Sequence, residues 1–480
     1  MSVVEAATAV LRCGLPGQPA VPRSVIDVIL GTPSGDLGRL RPQERAACVA
    51  ALVWCLVQSG QAQAAADLAD REGMPLLRRV AVTAPAQTQS ACYAVLAEAY
   101  LSVGRCRDST DCARIALDYA TESGNDAHRF RTLGLLTASL VENGEFSAAS
   151  DLLAVADDIG AGHDWGAEKW PLVLARVLIN YRRGDPEGIQ VALDSFEWSD
   201  SDDVVERAVS QIGLIWLHVA REEYRELLVV ADKVVRGADR HCCPPFLRDQ
   251  AVYMKALTLI HLGDPGAALR SLAGRRSQPE HPVCFELMLA TVHLRLGEPR
   301  KALQVTEACV GNCPDHNLRT LPSVYFRRAV AYELLGHHDP ADAEFSRAAH
   351  LAADLGGISP VLGLPVSAVE RLYLRLMRDE PELGRLITAR IPGTGYPAPK
   401  ALGFVPPQLT EREVVLAPLL ATDLTLAGIA DRLKVSINTV KTQTRTLYRK
   451  LEVSGRAEAV DSLEQAGFFV NPPGPVSAGQ

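Results

Sequence analysis

At 480 residues the chain is longer than one hydrophobic core supports, so two or more domains or an elongated repeat are expected. Hydrophobic residues make up 48% but aromatics only 5%, leaving the apolar mass to Ala, Leu and Val, a balance that favours helix and an all-α fold. The formal net charge of −8 argues against indiscriminate attraction to nucleic acid.

The N-terminal stretch MSVVEAATAVLRCG has no basic n-region, and no uncharged apolar run reaches the roughly 18 residues of a membrane span. A soluble, cytoplasmic protein with no membrane partner is expected. The eleven cysteines are odd in number and sit mostly in apolar helical patterns, which fits free thiols in a reducing compartment. Arginine outnumbers lysine 41 to 8, a compositional mark of a GC-rich bacterial genome. None of the eight lysines follows a glycine, so the G-K-[ST] core of a P-loop is excluded from these residues.

From the N-terminus, apolar helical patterns alternate with short polar turns at Gly60, Gly104, Gly144, Gly184, Glu222, Gly263, Gly297 and Gly336. The spacings run from 34 to 44 residues. Each unit reads as a helix, a turn and a second helix with small residues where the two approach closely. The pattern Y-x3-G-x4-S/A-x3-A-x2-A is clearest at Tyr100, Gly104, Ser109, Ala113 and Ala116. It resembles the tetratricopeptide repeat, longer and less regular than its usual form, and implies an α-solenoid with a concave groove. Residues 1–391 are assigned to this region. Residues 392–408, with prolines at 392, 397, 399, 406 and 407, read as a linker.

From Leu409 the pattern changes again. Thr410 and Glu413 form a capping box for one helix, Thr425 begins a second, Ser436 caps a third, and a fourth runs from about Gly455 to Gln465. In the third, Val440, Thr444, Leu447 and Leu451 share one face, while Asn438, Lys441, Thr442, Arg445 and Arg449 share the opposite one. An apolar inside and a cationic, hydroxyl-bearing outside suit a helix lying in the DNA major groove. Residues 432–456 hold seven Lys or Arg against one acid, leaving the rest of the chain formally −14.

Residues 409–469 resemble the LuxR-type helix-turn-helix. Its pattern is met at Leu409, Thr410, Arg412, Glu413, Ile429, Ala430, Leu433, Val435, Ser436, Thr439, Val440, Lys441, Lys450, Leu451, Val453, Arg456, Glu458, Ala459 and Val460. The resemblance implies a four-helix domain in which Lys441, Thr442 and Arg445 read bases. Asn438, Thr439 and Lys450 touch the DNA backbone, a set to which Gln443 and Arg449 are added. The last helix, through Arg456, Val460 and Leu463, dimerises. Departures from the pattern are Gln443 for His, Gly428 for Glu, Pro418 inside the first helix, and Glu452 where a left-handed Gly ends the third. Residues 470–480 read as a disordered tail.

Other constellations carry less. Cys309, Cys313 and His316, and separately His241, Cys242 and Cys243, lack a fourth ligand at zinc spacing and read as loop or packing residues, so no metal or cofactor is expected. His337, His338 and Asp339 read as a polar turn. Trp165 and Trp170 are candidates to line a groove pocket. No catalytic motif is present, so the expectation is not an enzyme.

The reading is a DNA-binding transcription regulator resembling the C-terminal half of large ATP-binding LuxR regulators, without their NTPase module. Its partners would be double-stranded DNA, a protein, peptide or small-molecule effector in the groove, a second copy on DNA, and RNA polymerase as a further candidate. The alternative is a helical-repeat interaction scaffold with a weak or assembly-dependent DNA-binding domain.

Overall fold

The computed structural model describes residues 1–13, 15, 21–163, 170–195, 204–237, 243–277, 281–311, 316–355, 364–389, 410–422, 424–451, 453 and 455–465, and every regular element among them is helical. The linker 392–408, the tail 470–480, Trp165, His241, Cys242, Cys313 and Glu452 lie outside the described residues.

Helix pairs follow the ladder of turns: Ala86–Ser102 with Cys106–Glu122, Asp126–Asn143 with Phe146–Ala161, Trp170–Arg183 with Pro186–Asp194, and so on to Leu321–Leu334 with His338–Asp354. A further pair, Val366–Asp379 and Pro381–Ala389, extends the array. All eight turn residues take positive φ, from 58° at Glu222 to 93° at Gly144. Each donates its N–H to the carbonyl three residues back, and the next residue donates to the carbonyl five back, as Gln61 does to Leu56 at 2.8 Å and Glu223 to His218 at 2.8 Å. This paired bonding satisfies carbonyls that a helix end would otherwise leave open, and it requires a left-handed residue.

Small residues let the helices of a pair close up. Ser109, Ala113 and Ala116 are fully buried, and Ser109 Oγ donates to Ala97 O at 2.7 Å. Eight cysteines among the described residues are buried thiols outside any disulfide. Burial pushes the thiols of Cys55, Cys92 and Cys112 up to about 12, so they act as packing groups.

The expected open groove is modified by the chain itself. The helices Ala86–Ser102 and Asp126–Asn143 are buried nearly all round from Gln89 and Phe130 onward. The helix Pro245–His261 packs against the first of them, and Pro282 sits so close to Gly104 that an added Cβ would lie 3.1 Å from its Cδ. Gly144 is closer still, its missing Cβ 2.5 Å from Arg319 N. Segments from late repeats therefore cover the inner helices of early ones.

At this closure the carboxylate of Glu142, fully buried, pairs with Arg319 and accepts from Gln250 Nε2 at 2.7 Å. Asn317 Nδ2 donates to Glu142 O at 3.1 Å, and Trp216 Nε1 to Gln250 Oε1 at 3.3 Å. Such charge survives burial because each polar atom has a partner. The sequence offered one clue, a Glu closing the uncharged run of residues 132–141. Its partners, more than a hundred residues away, were not legible.

Candidate nucleic-acid interface

Four helices form the C-terminal unit: α1 (Glu411–Leu420), α2 (Leu426–Leu433), α3 (Ile437–Leu451) and α4 (Arg456–Gln465). Their apolar sides meet in a core of Leu416, Leu420, Ile429, Ala430, Val440, Leu447, Leu451, Ala459 and Leu463. The capping box opens α1 as expected: Thr410 N–H donates to Glu413 Oε2 at 2.7 Å, and Glu413 N–H to Thr410 Oγ1 at 3.4 Å. Pro418 lies inside α1 without ending it: its ring is exposed, but having no N–H it gives up the helix bond to Val414 O. Thr425 caps α2 by accepting from Gly428 N–H at 3.2 Å.

The turn between α2 and α3 is set by Lys434, which is left-handed at φ 53° and lets Val435 N–H reach Ala430 O at 3.1 Å. A lysine there carries strain of roughly 1–2 kcal/mol that glycine would not. Nothing in the residue types signalled it. Ser436 Oγ then accepts from Thr439 N–H at 3.1 Å and caps α3. A three-residue turn between two helices packed through Ile429, Ala430 and Val440 is the geometry of a helix-turn-helix.

α3 divides as its sequence pattern predicts. Val440, Thr444, Leu447 and Leu451 are buried; Asn438, Lys441, Thr442, Arg445 and Arg449 are exposed; Thr439 and Gln443 are half-buried. Lys441, Arg445 and Arg449 follow one another at four-residue intervals, about 6 Å of helix rise each. They make no ion pair among the described residues. A shallow open depression of about 430 Å³ runs beside them, lined also by Leu426, Thr444, Tyr448 and Val453. A cationic helix face of this kind fits a major groove some 12 Å wide and meets phosphates at its rims.

Three expected roles are altered by geometry. Lys450 Nζ is drawn 2.6 Å from Glu413 Oε2. Burial raises the Glu413 carboxyl, but the bonds from Lys450 and Thr410 outweigh it and hold the group below its ordinary value. Arg456, expected on the dimer face, turns its guanidinium onto the end of α1, donating to Leu420 O at 2.9 Å and Leu424 O at 2.5 Å. It caps the carbonyl of Leu420 at the end of α1 and that of Leu424 in the connection to α2. Leu463 is fully buried in the core, leaving Val460 partly exposed on α4.

Of the two tryptophans expected in a groove pocket, Trp170 is buried in the repeat core instead, because it opens the helix Trp170–Arg183 on its packed side. Trp216, with the Tyr181 ring against it, stands at the inner cluster. His338 lies beside the turn at Gly336, its Nδ1 3.1 Å from Glu333 Oε2. No helix among the described residues is long and apolar enough to cross a membrane.

Fold and site together define a class: an α-solenoid of tetratricopeptide-like pairs joined to a helix-turn-helix. Residues 407–463 match the family described as bacterial regulatory proteins, luxR family, so the C-terminal unit is a LuxR-type DNA-binding domain. The chain is thereby a DNA-binding regulator in the broad sense. A comparison with curated proteins gives no match.

Among solved structures, a Rap protein complexed with competence and sporulation factor is similar at 9% identity and TM-score 0.52. The similarity covers 74% of this chain and 97% of that one, and establishes the helical-repeat fold alone. The APC/C hetero-tetramer Cut9–Hcn1 covers 77% and is itself covered over 84%, at 11% identity and TM-score 0.24, too low to carry an argument.

Proposed function

We propose that this protein regulates transcription by laying α3 in the DNA major groove, with Lys441, Thr442 and Arg445 on base edges and Asn438, Thr439, Gln443 and Arg449 towards phosphates. The observation that carries the reading is the exposed Lys441–Arg445–Arg449 stripe directly opposite the buried face of the same helix. Lys450 joins the backbone set only while keeping its bond to Glu413, so its first role is to hold α3 against α1. Val460 on α4 is the remaining candidate for dimer contact.

In the same proposal the domains divide at 392–408, and the repeat region receives a protein, peptide or small-molecule effector that sets how freely the DNA-binding domain acts. The similar Rap fold, solved with a bound factor, supports a binding role for such an array by analogy only. The reading assigns no catalysis and places the protein in the cytoplasm with its DNA.

A second reading, an interaction scaffold whose DNA-binding domain works only within an assembly, draws on the covered inner helices, which leave the outer surface of the repeats for partners. Binding to duplex DNA across a salt series separates the two. A regulator that neutralises several phosphates loses affinity with a slope of about −0.9 per phosphate, and Arg449→Ala lowers that slope by about one. Affinity independent of α3 substitutions would favour the scaffold.

A further inference from the structure

At the same closure, donors suited to a soft metal come together from two connections between helix pairs. Cys284 caps the helix Phe285–Arg295, its Sγ accepting from Leu287 N–H at 3.3 Å, and is fully buried. Cys309, on the short helix Glu307–Gly311, is 5% exposed and places its Sγ 3.8 Å from that of Cys284. One ring nitrogen each of His281 and His316 lies with Cys284 Sγ in a group whose atoms are all within 4.8 Å of one another. Glu286 makes a similar group with the two thiols.

We propose that His281, Cys284, Cys309 and His316 form a zinc-binding site. Two sulfurs sharing a tetrahedral Zn²⁺ at Zn–S distances near 2.3 Å stand about 3.8 Å apart, the separation found here. A disulfide would need about 2.05 Å. One imidazole is oriented by the backbone. His316 Nδ1 lies 3.1 Å from Asn317 O, and since a carbonyl only accepts, Nδ1 carries the proton and Nε2 keeps its lone pair.

The rings of His281 and His316 meet edge to face with centroids 4.8 Å apart. Glu286 stands just outside, its Oε2 3.8 Å from Cys284 Sγ and its Oε1 3.2 Å from Ser277 N–H. Two thiolates and two imidazoles select zinc over magnesium or calcium, which prefer oxygen.

The sequence pattern C-x3-C-x2-H pointed to Cys309 and His316 but lacked its other half, because His281 and Cys284 come from the preceding connection. The two connections are the ones that cover the inner helices. Pro282 abuts Gly104, and Arg319, three residues after His316, pairs with Glu142. A bound ion would lock the closure, so metal affinity and closure are linked.

The test uses the full-length protein, reduced and stripped of metal, titrated with Co²⁺ and then Zn²⁺. The expected result is one equivalent of Co²⁺ with visible bands of a tetrahedral thiolate complex, displaced by Zn²⁺. Cys284→Ser and Cys309→Ser each abolish the sulfur-to-metal charge transfer and weaken zinc by more than the roughly 10- to 100-fold typical of outer-sphere changes. Cys55→Ser, a buried thiol elsewhere, leaves both intact.

The wild-type titration stands even if a variant fails to fold. Absence of stoichiometric Co²⁺ or Zn²⁺ binding by the wild type overturns the proposal, as does a Cys284–Cys309 disulfide found by mass spectrometry in protein kept reduced. Charge transfer that survives both serine substitutions does so too.

Discussion

In the repeat region Arg131, Arg319 and Arg328 are largely buried beside Glu98, Glu142 and Glu344, whereas in the C-terminal domain Lys441, Arg445 and Arg449 stand exposed with no ion-pair partner among the described residues. A desolvated guanidinium with a partner is committed to the architecture: removing one side strands the other. A solvated, unpaired cation contributes little to stability and remains available to a ligand. The two regions therefore separate, side chain by side chain, into groups whose loss unfolds and groups whose loss unbinds.

The largest expected effect is at the closure. Glu142→Ala strands Arg319 and Gln250 and should cost about 3–5 kcal/mol in denaturant unfolding of the full chain. Replacing Glu142 and Arg319 together by apolar residues of similar volume should recover much of it. Arg445→Ala should stay within about 0.5 kcal/mol of the parent in the same measurement. Equal losses at the two sites would break the comparison.

Acid should act on the repeat region next. Burial, with Arg131 adding to it for His128 and Arg295 for His261, lowers both imidazoles to about 4 from 6.5. The unfolded chain then binds protons the folded one refuses, so stability is complete above about pH 6.5 and falls as the pH drops towards 4. The loss is of order 3 kcal/mol for each histidine at the lower end. Thermal melting against pH should show this slope, and His128→Gln with His261→Gln should flatten it. Melting points unchanged between pH 6.5 and 4 would contradict the assignment of the two as neutral core groups.

On the DNA side, Arg445→Ala should reduce discrimination between a selected site and random duplex by about 1–3 kcal/mol per lost base contact. Equal weakening on both would move Arg445 to the phosphate set. The smallest effect lies in the turns. Glu222→Gly and Lys434→Gly each relieve a left-handed side chain and should stabilise their regions by roughly 0.5–1 kcal/mol, read as a rise in melting temperature.

Much of this was legible because local rules dominate it. The turn ladder could be read because a Schellman turn needs a left-handed residue at a fixed place, and even Glu222 was found by register. The α3 faces followed from helical period alone. The covered groove and the Cys284–Cys309 meeting were not legible, since they join segments whose proximity only the superhelix decides. Arg456 and Leu463 were assigned to a dimer face because a family pattern records which residues recur, not which way they point. The left-handed Lys434 escaped because lysine carries no turn signature.

The most direct test of the central claim is selection of duplexes from a random pool by the full-length protein and by residues 400–480. The account predicts one enriched, two-fold symmetric sequence for both, bound more tightly by the fragment and lost in each when Lys441 and Arg445 are replaced by alanine. Enrichment by neither protein, or enrichment that survives the double substitution, would contradict it.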